Sequence, residues 1–194
     1  MKIIILVLFV FLSVNLYPQK NAKYRFYYLN AEEGTQYADP DYVSDFTSGF
    51  TGWTSNRATR VANNDAVSDG VTSYDNCLKV YCDGSTNTHY AILTTGTIKA
   101  STNYRVQFKY YIPSGQTHVD GFKMWWSGDG LTTSDFTTVG SWVSIDTVIT
   151  TPSTLQTTWY HLLTDGGAIS YTGANSASDD RIYLVDYSIR EVLE

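Results

Sequence analysis

Gln107, Lys109 and Tyr111, followed by Lys123 and Trp125, are the side chains of this sequence whose types and spacing invite chemistry. The first three alternate with Val106, Phe108, Tyr110 and Ile112, and the last two with Phe122, Met124 and Trp126. That is the period-two pattern of half-buried strands, which sends the polar set to one face and the apolar set to the other. A ring flanked by amine and amide donors is suited to stacking on the C–H face of a pyranose while the donors take its hydroxyls. Tyr81, beside Lys79, extends the face by the same parity, and Trp159 and His161 join it if their strand shows that side. A one-residue bulge would exchange Trp125 and Trp126 between faces, so both stand as candidates.

Catalysis finds little to work with. All four glutamates, Glu32, Glu33, Glu191 and Glu194, lie near the ends, and many aspartates sit in Asp-Gly dipeptides. The pattern selects no carboxylate pair for glycoside hydrolysis, and it holds neither a Gly-x-Ser-x-Gly elbow nor a His-Glu-x-x-His helix. His89, His118 and His161 are isolated from one another, and two separated cysteines do not make a closed zinc site. The reading is of a binding protein and not an enzyme.

These residues need strands to position them. Runs near Thr59 to Ala62, Cys77 to Asp83, His89 to Thr95, Tyr104 to Ile112, Val119 to Trp126, Trp142 to Ile149, Thr157 to Leu163 and Arg181 to Val192 have strand character. Asp69-Gly70, Asp83-Gly84, Asp129-Gly130 and Asp165-Gly166 supply turns between them. The expected fold is all-β, a two-sheet antiparallel sandwich of the jelly-roll kind. Its core includes Trp53, Leu78, Val80, Tyr104, Val106, Phe108, Tyr110, Ile112, Ile182 and Leu184. Pro113-Ser114-Gly115 is read as a hairpin break that returns the chain beside the 104–112 strand, which would place Tyr111 and Trp125 as neighbours on one outer face.

Composition agrees with strands: aromatic residues make up 15% of the 194 residues and charged residues only 16%. A net charge of −6 argues against nucleic acid, whose phosphates need a basic surface. Lys2 followed by the apolar run Ile3 to Leu12 and a polar exit reads as a secretory signal peptide over residues 1–19, with a helical apolar stretch too short for a stable membrane anchor. Residues 20–45 form a lead-in segment, with Tyr24 to Leu29 as a first strand, and residues 46–194 form the domain. Export permits disulfides, but five strand residues separate Cys77 and Cys82 by about 16 Å, against a bridging limit of roughly 7 Å. They should not pair. The same parity sends Cys82 inward and Cys77 outward.

Phe46-Thr47-Ser48-Gly49-Phe50-Thr51-Gly52-Trp53 resembles the opening "F-E-x-G-x-x-G-W" of jelly-roll carbohydrate-binding modules of the family 4, 9 and 22 kind, within the galactose-binding-like superfamily. Asp180 to Glu191 is similar to their closing strand, "I-Y-I-D-D-V-S-V". Leu78-Lys79-Val80 and Tyr104 to Phe108 resemble the family's "L-x-V" and "Y-x-x-x-F" strands. The resemblance covers residues 45–192 and specifies fold better than function. It implies a secreted, extracellular or cell-surface, non-catalytic module that binds a poly- or oligosaccharide. The alternative is a structural or adhesive surface or virion protein, such as a phage fibre component, using the same fold for contacts with protein partners or with further copies of itself. Two departures bear on the structural calcium found in relatives: Thr47 replaces the opening Glu, and Val185 the first Asp of the closing pair. Asp186 and Asp45 still offer oxygen ligands. Equally, Asp186 can cap a bulge or turn while Asp45 is solvated.

Overall fold

The structure, a computed structural model, describes residues 36–57, 59–82, 89–126, 136–154, 156–165 and 180–193. The signal-peptide segment and the Tyr24 to Leu29 run lie outside the described residues. The strands, in chain order, are β1 Gln36–Tyr37, β2 Tyr42–Ser44, β3 Trp53–Arg57, β4 Thr59–Ser68, β5 Ser73–Cys82, β6 His89–Ile98, β7 Asn103–Tyr111, β8 Gly121–Trp126, β9 Val143–Thr150, β10 Gln156–Thr164 and β11 Arg181–Leu193. Among the described residues no helix is long and apolar enough to cross a membrane.

All pairings are antiparallel, and they make two sheets. One runs β4-β5-β11-β7-β9, with β1 and β2 also on β11; the other runs β3-β6-β10-β8. β11 is the organising strand of the larger sheet. Its first residues, Arg181 to Leu184, face Tyr81 to Leu78 of β5, its later ones face β2 and β1, and β7 pairs with it from Tyr183 to Glu191. Part of the lead-in segment therefore belongs to the sheet. The sandwich is filled from both sides: Leu78, Val80, Val106, Phe108 and Tyr187 come from the larger sheet, and Trp53, Leu93, Phe122, Met124 and Trp159 from the smaller. Every core residue named from the alternation is buried.

The Gly-rich opening carries the chain from β2 to β3, between sheets. Gly52 has φ 88°, and a Cβ there would meet the Thr94 carbonyl oxygen at 2.9 Å, so the close backbone approach sealed by Thr94 N–H donating to Gly52 O (2.8 Å) needs glycine. Trp53 then enters the core, its Nε1 donating to the Tyr42 hydroxyl at 2.9 Å.

The hairpin expected across Pro113-Ser114-Gly115 does not form. β7 pairs β11 and β9, whereas β8 pairs β10 in the opposite sheet. Residues 112–120 are a crossover. Ile112 and Val119 are buried at its two ends, and Gln116 ties its middle to β11: its Nε2 donates to the Val119 and Arg181 carbonyls at 3.0 and 2.9 Å, and its Oε1 accepts from Arg181 N at 2.6 Å. The Asp180 carboxylate accepts from His118 N at 2.8 Å. A side-chain clamp of this kind satisfies backbone groups that a turn would pair within itself.

Two left-handed residues break the simple parity of the larger sheet. In β11 the register shifts between Val185 and Ser188, with Asp186 at φ 52°, so Tyr187 and Ile189 point inward after Ile182 and Leu184. In β5, Asn76 is left-handed at φ 56° with no slip in the pairing with β4, and Tyr74 before it packs on the outer face although Leu78, Val80 and Cys82 after it point inward. Cys77 and Cys82 are both free thiols, Cys82 in the main core and Cys77 in a second, smaller cluster on the outer face of the larger sheet.

Candidate functional site

Gln107, Lys109 and Tyr111 point away from the core on β7, as the alternation requires. Strand pairing gives them neighbours. Gln107 lies between Ser188 of β11 and Asp146 of β9, Lys109 between Val185 and Ser144, and Tyr111 opposite Tyr183. Gln107, Lys109, Ser144, Asp146, Asp186 and Ser188 line an open groove of about 340 Å³ on this outer face. Asp186 reaches it only because of the β11 bulge.

The groove's charges are paired. Arg105 donates through Nε to Asp146 Oδ1 at 2.6 Å and through its second arm to Oδ2, and Gln107 Nε2 donates to the same Oδ2 at 3.0 Å. The guanidinium beside it, with Gln107, holds the Asp146 carboxyl below the usual carboxylate range. Lys109 Nζ meets Asp186 Oδ2 at 2.5 Å, which raises the ammonium's pKa. Asp146 is thus an ionised acceptor and not a proton donor at neutral pH, a poor general acid but a good partner for hydroxyls.

At one end the groove meets four rings. Tyr111 and Tyr183 stack with centroids 6.2 Å apart and 16° between planes, Trp142 tilts onto Tyr111 at 5.5 Å, and Tyr74 meets Trp142 edge-on at 4.8 Å. Val67, Cys77 and Val185 complete this cluster. Lys109 Nζ sits 4.6 Å from the Tyr74 ring centre, joining rings to groove. On the same face, towards the other end of β5, Tyr81 lies opposite Arg181 with Lys79 Nζ 4.3 Å over its ring.

The larger sheet therefore brings together Gln107, Lys109, Tyr111 and Tyr81. Lys123, Trp125 and Trp126 stand on β8 in the other sheet, because residues 112–120 cross the sandwich, so a Tyr111–Trp125 platform is not formed. Lys123, expected to be exposed, is buried. The side chains of Trp125 and Trp126 lie outside the described residues. Trp159 and His161 are core residues facing into the sandwich. Tyr111 is half-buried among rings and is not a free platform.

Tyr183 was within reach of sequence reasoning, since it alternates with Ile182 and Leu184; Ser144 and Asp146 alternate in the same way on β9. Tyr74 was not, because only the left-handed Asn76 turns it to this face.

Asp45 and Asp186, the two carboxylates considered for calcium, are each engaged by groups of the protein itself. Asp186 is held by the Lys109 ammonium, and Asp45 Oδ1 accepts from Thr47 N at 3.0 Å and from the Thr47 hydroxyl at 2.7 Å. Among the described residues no group of three or more His, Cys, Asp or Glu side chains converges as metal ligands would.

No protein-family model matches the chain, and no curated protein does. Solved structures do. The CBM22-1 xylan-binding domain of Xyn10C from Paenibacillus barcinonensis superposes with a TM-score of 0.53 at 14% identity, over 80% of this chain and 96% of that domain. The N-terminal cellulose-binding domain of β-1,4-glucanase C from Cellulomonas fimi gives 0.53 at 14%, over 81% and 99%. The CBM22-1–GH10 modules of Clostridium thermocellum Xyn10B, complexed with xylohexaose, give 0.52 at 16%, over 78% of this chain and only 28% of that longer one. The likeness is one of fold: this chain has the two-sheet jelly roll of carbohydrate-binding modules.

Proposed function

We propose that this protein is a secreted, non-catalytic carbohydrate-binding protein that holds a poly- or oligosaccharide in the outer groove of its larger sheet. The observation that carries the reading is the groove itself: Gln107, Ser144, Asp146 and Asp186 present acceptors and donors beside the Tyr111, Tyr183, Trp142 and Tyr74 rings. Sugars are recognised by that combination, hydroxyls taken by fixed polar groups and C–H faces by rings. Tyr81 extends the surface at its far end. The non-catalytic reading draws on an ionised Asp146 and on the fold shared with xylan- and cellulose-binding domains. Secretion draws on the sequence of residues 1–19 alone. Isothermal titration against xylohexaose, cellohexaose and mixed-linkage glucan, with pull-down on insoluble polysaccharides, tests the proposal. Dissociation constants in the micromolar to millimolar range are expected for a shallow, preformed site. No binding to any glycan at millimolar concentration would overturn it.

A further inference from the structure

The ring cluster is covered by a segment that side chains, and not backbone pairing to β11, hold to the sheet. β5 pairs β11 only from Leu78 to Tyr81; before Leu78 the β4–β5 hairpin leaves the sheet at Asn76, in left-handed conformation, and turns over the outer face. There Val67 and Tyr74, paired with each other across the hairpin, pack on Trp142, Tyr111 and Tyr183. The hairpin's tip is exposed, Val71 almost wholly so. It is fastened to the far side of the sheet through Asp69, whose Oδ2 accepts from Trp142 N at 2.9 Å while Oδ1 accepts from Val71 N and Thr72 N within the turn. Beneath it, the Trp142 indole Nε1 is buried with no hydrogen-bond partner. A buried donor without an acceptor is a standing penalty on the closed arrangement.

We infer that the β4–β5 hairpin is a clasp, hinged at Asn76 and latched by Asp69, which closes over the Tyr111, Tyr183 and Trp142 rings in the free protein and lifts to let a sugar chain continue from the groove onto them. The inference rests on the carbohydrate-binding reading above. Lys109 is the point of transmission: it lines the groove, holds Asp186 and touches Tyr74, so a ligand that moves its ammonium also removes a cation–π contact from the clasp. Lifting frees the Trp142 N–H to donate to a ligand hydroxyl. The clasp thereby sets how many sugar units the site can engage, with short ligands held in the groove and longer ones drawing on the rings.

Hydrogen exchange and amide NMR on the intact protein test this, with xylohexaose and cellohexaose as probes and Trp142→Phe to assign the indole resonance. In the free protein, amides of Val67 and Tyr74 should exchange at least about 100-fold faster than those of Leu184 and Ile189, because the hairpin opens without global unfolding. Added oligosaccharide should shift the Trp142 indole resonance together with the Gln107 and Ser144 amides, and Asp69→Ala should speed hairpin exchange further. Hairpin amides exchanging only at the β11 rate would overturn the clasp. Shifts at Gln107 and Ser144 with the hairpin and the Trp142 indole unmoved would overturn it too, leaving the groove reading intact. Fast hairpin exchange with no shift anywhere at millimolar xylohexaose or cellohexaose would overturn opening driven by these ligands, while the sugar reading is decided by the wider glycan titration.

Discussion

His161 Nε2 lies 2.9 Å from the Tyr187 hydroxyl in the centre of the sandwich, a hydrogen bond that ties β10 of the smaller sheet to β11 of the larger. Around it, Trp53 packs on both rings, with centroids at 4.6 Å from His161 and 5.4 Å from Tyr187, and Phe108 stacks on Tyr187 at 5.1 Å with 10° between planes. Both side chains are fully buried, so the hydrogen bond between them is held under strong desolvation. The β11 bulge at Asp186 makes it, since without that register shift Tyr187 would face the groove.

Burial alone drives the His161 pKa from 6.5 down to about 3. A histidine kept neutral in the folded state is protonated first in the unfolded chain. Its contribution is fully present above pH 6.5 and is lost as pH falls from there towards about 3. Between pH 6.5 and 5 the loss should reach about 1.5 kcal/mol by linkage, a window above the range in which ordinary carboxylates titrate. Urea denaturation at the two pH values measures it. His161→Gln, which retains a partner for Tyr187, should flatten the dependence; an unchanged slope in that variant would place the titrating group elsewhere.

Phe108 is the ring through which the two sheets interlock, in contact with Tyr187, Tyr110, Phe122 and Phe136. Phe108→Ala should cost about 3–5 kcal/mol, the sum of lost transfer energy and an incompletely collapsed cavity. Chemical denaturation reads this directly, and a loss below about 1 kcal/mol would be too small for a fully buried aromatic.

The two cysteines should behave as inert thiols. Burial first, with Asp75 and Asp186 adding to it, pushes the Cys77 thiol up to about 12, so little thiolate exists at pH 8. Iodoacetamide at that pH should leave Cys77 unmodified in the folded protein and should alkylate both cysteines after denaturation without reductant. Protection that survives denaturation and yields only to reductant would reveal a disulfide and refute the free-thiol arrangement.

Strand identity was legible in the sequence to within a few residues for β5 to β11, because the side chains turned to the core are mostly apolar and their spacing records it. The core was legible for the same reason. Topology was not: Pro113-Ser114-Gly115 looks alike whether it turns a hairpin or starts a crossover, and the choice was made by contacts from Gln116 and Asp180 to the distant β11. Gln107, Lys109 and Tyr111 of the candidate face followed from β7 parity. The rest depended on which strands flank β7 and on two left-handed residues, Asn76 and Asp186, that carry no signature as distinct as glycine.

Calcium should have no effect on stability through Asp45 and Asp186. Lys109 supplies the positive charge at Asp186, and a divalent ion would meet its ammonium there. The thermal midpoint should therefore be the same in millimolar Ca²⁺ and in EDTA. An upward shift with Ca²⁺ that Asp186→Asn abolishes would show that the ion displaces Lys109.

The groove makes a sharper demand on binding than on stability. Asp146 is exposed, and its pairing with Arg105 is a surface ion pair worth about 0–1 kcal/mol. Asp146→Ala should therefore leave the thermal midpoint nearly unmoved. Its loss removes an ionised acceptor from the groove and frees Gln107 and the neighbouring Arg105, both of which it holds. Hydrogen bonds to charged groups contribute about 1.5–3 kcal/mol, so the dissociation constant for a glycan that the wild type binds should rise roughly 10- to 100-fold. Trp125→Ala is the discriminating companion, because Trp125 belongs to the strand that pairs with β10 in the opposite sheet. With the site on the larger sheet, titration calorimetry should show Asp146→Ala weakened and Trp125→Ala unchanged. The reverse pattern, binding lost with Trp125 and kept without Asp146, would move the site to the smaller sheet and refute the groove.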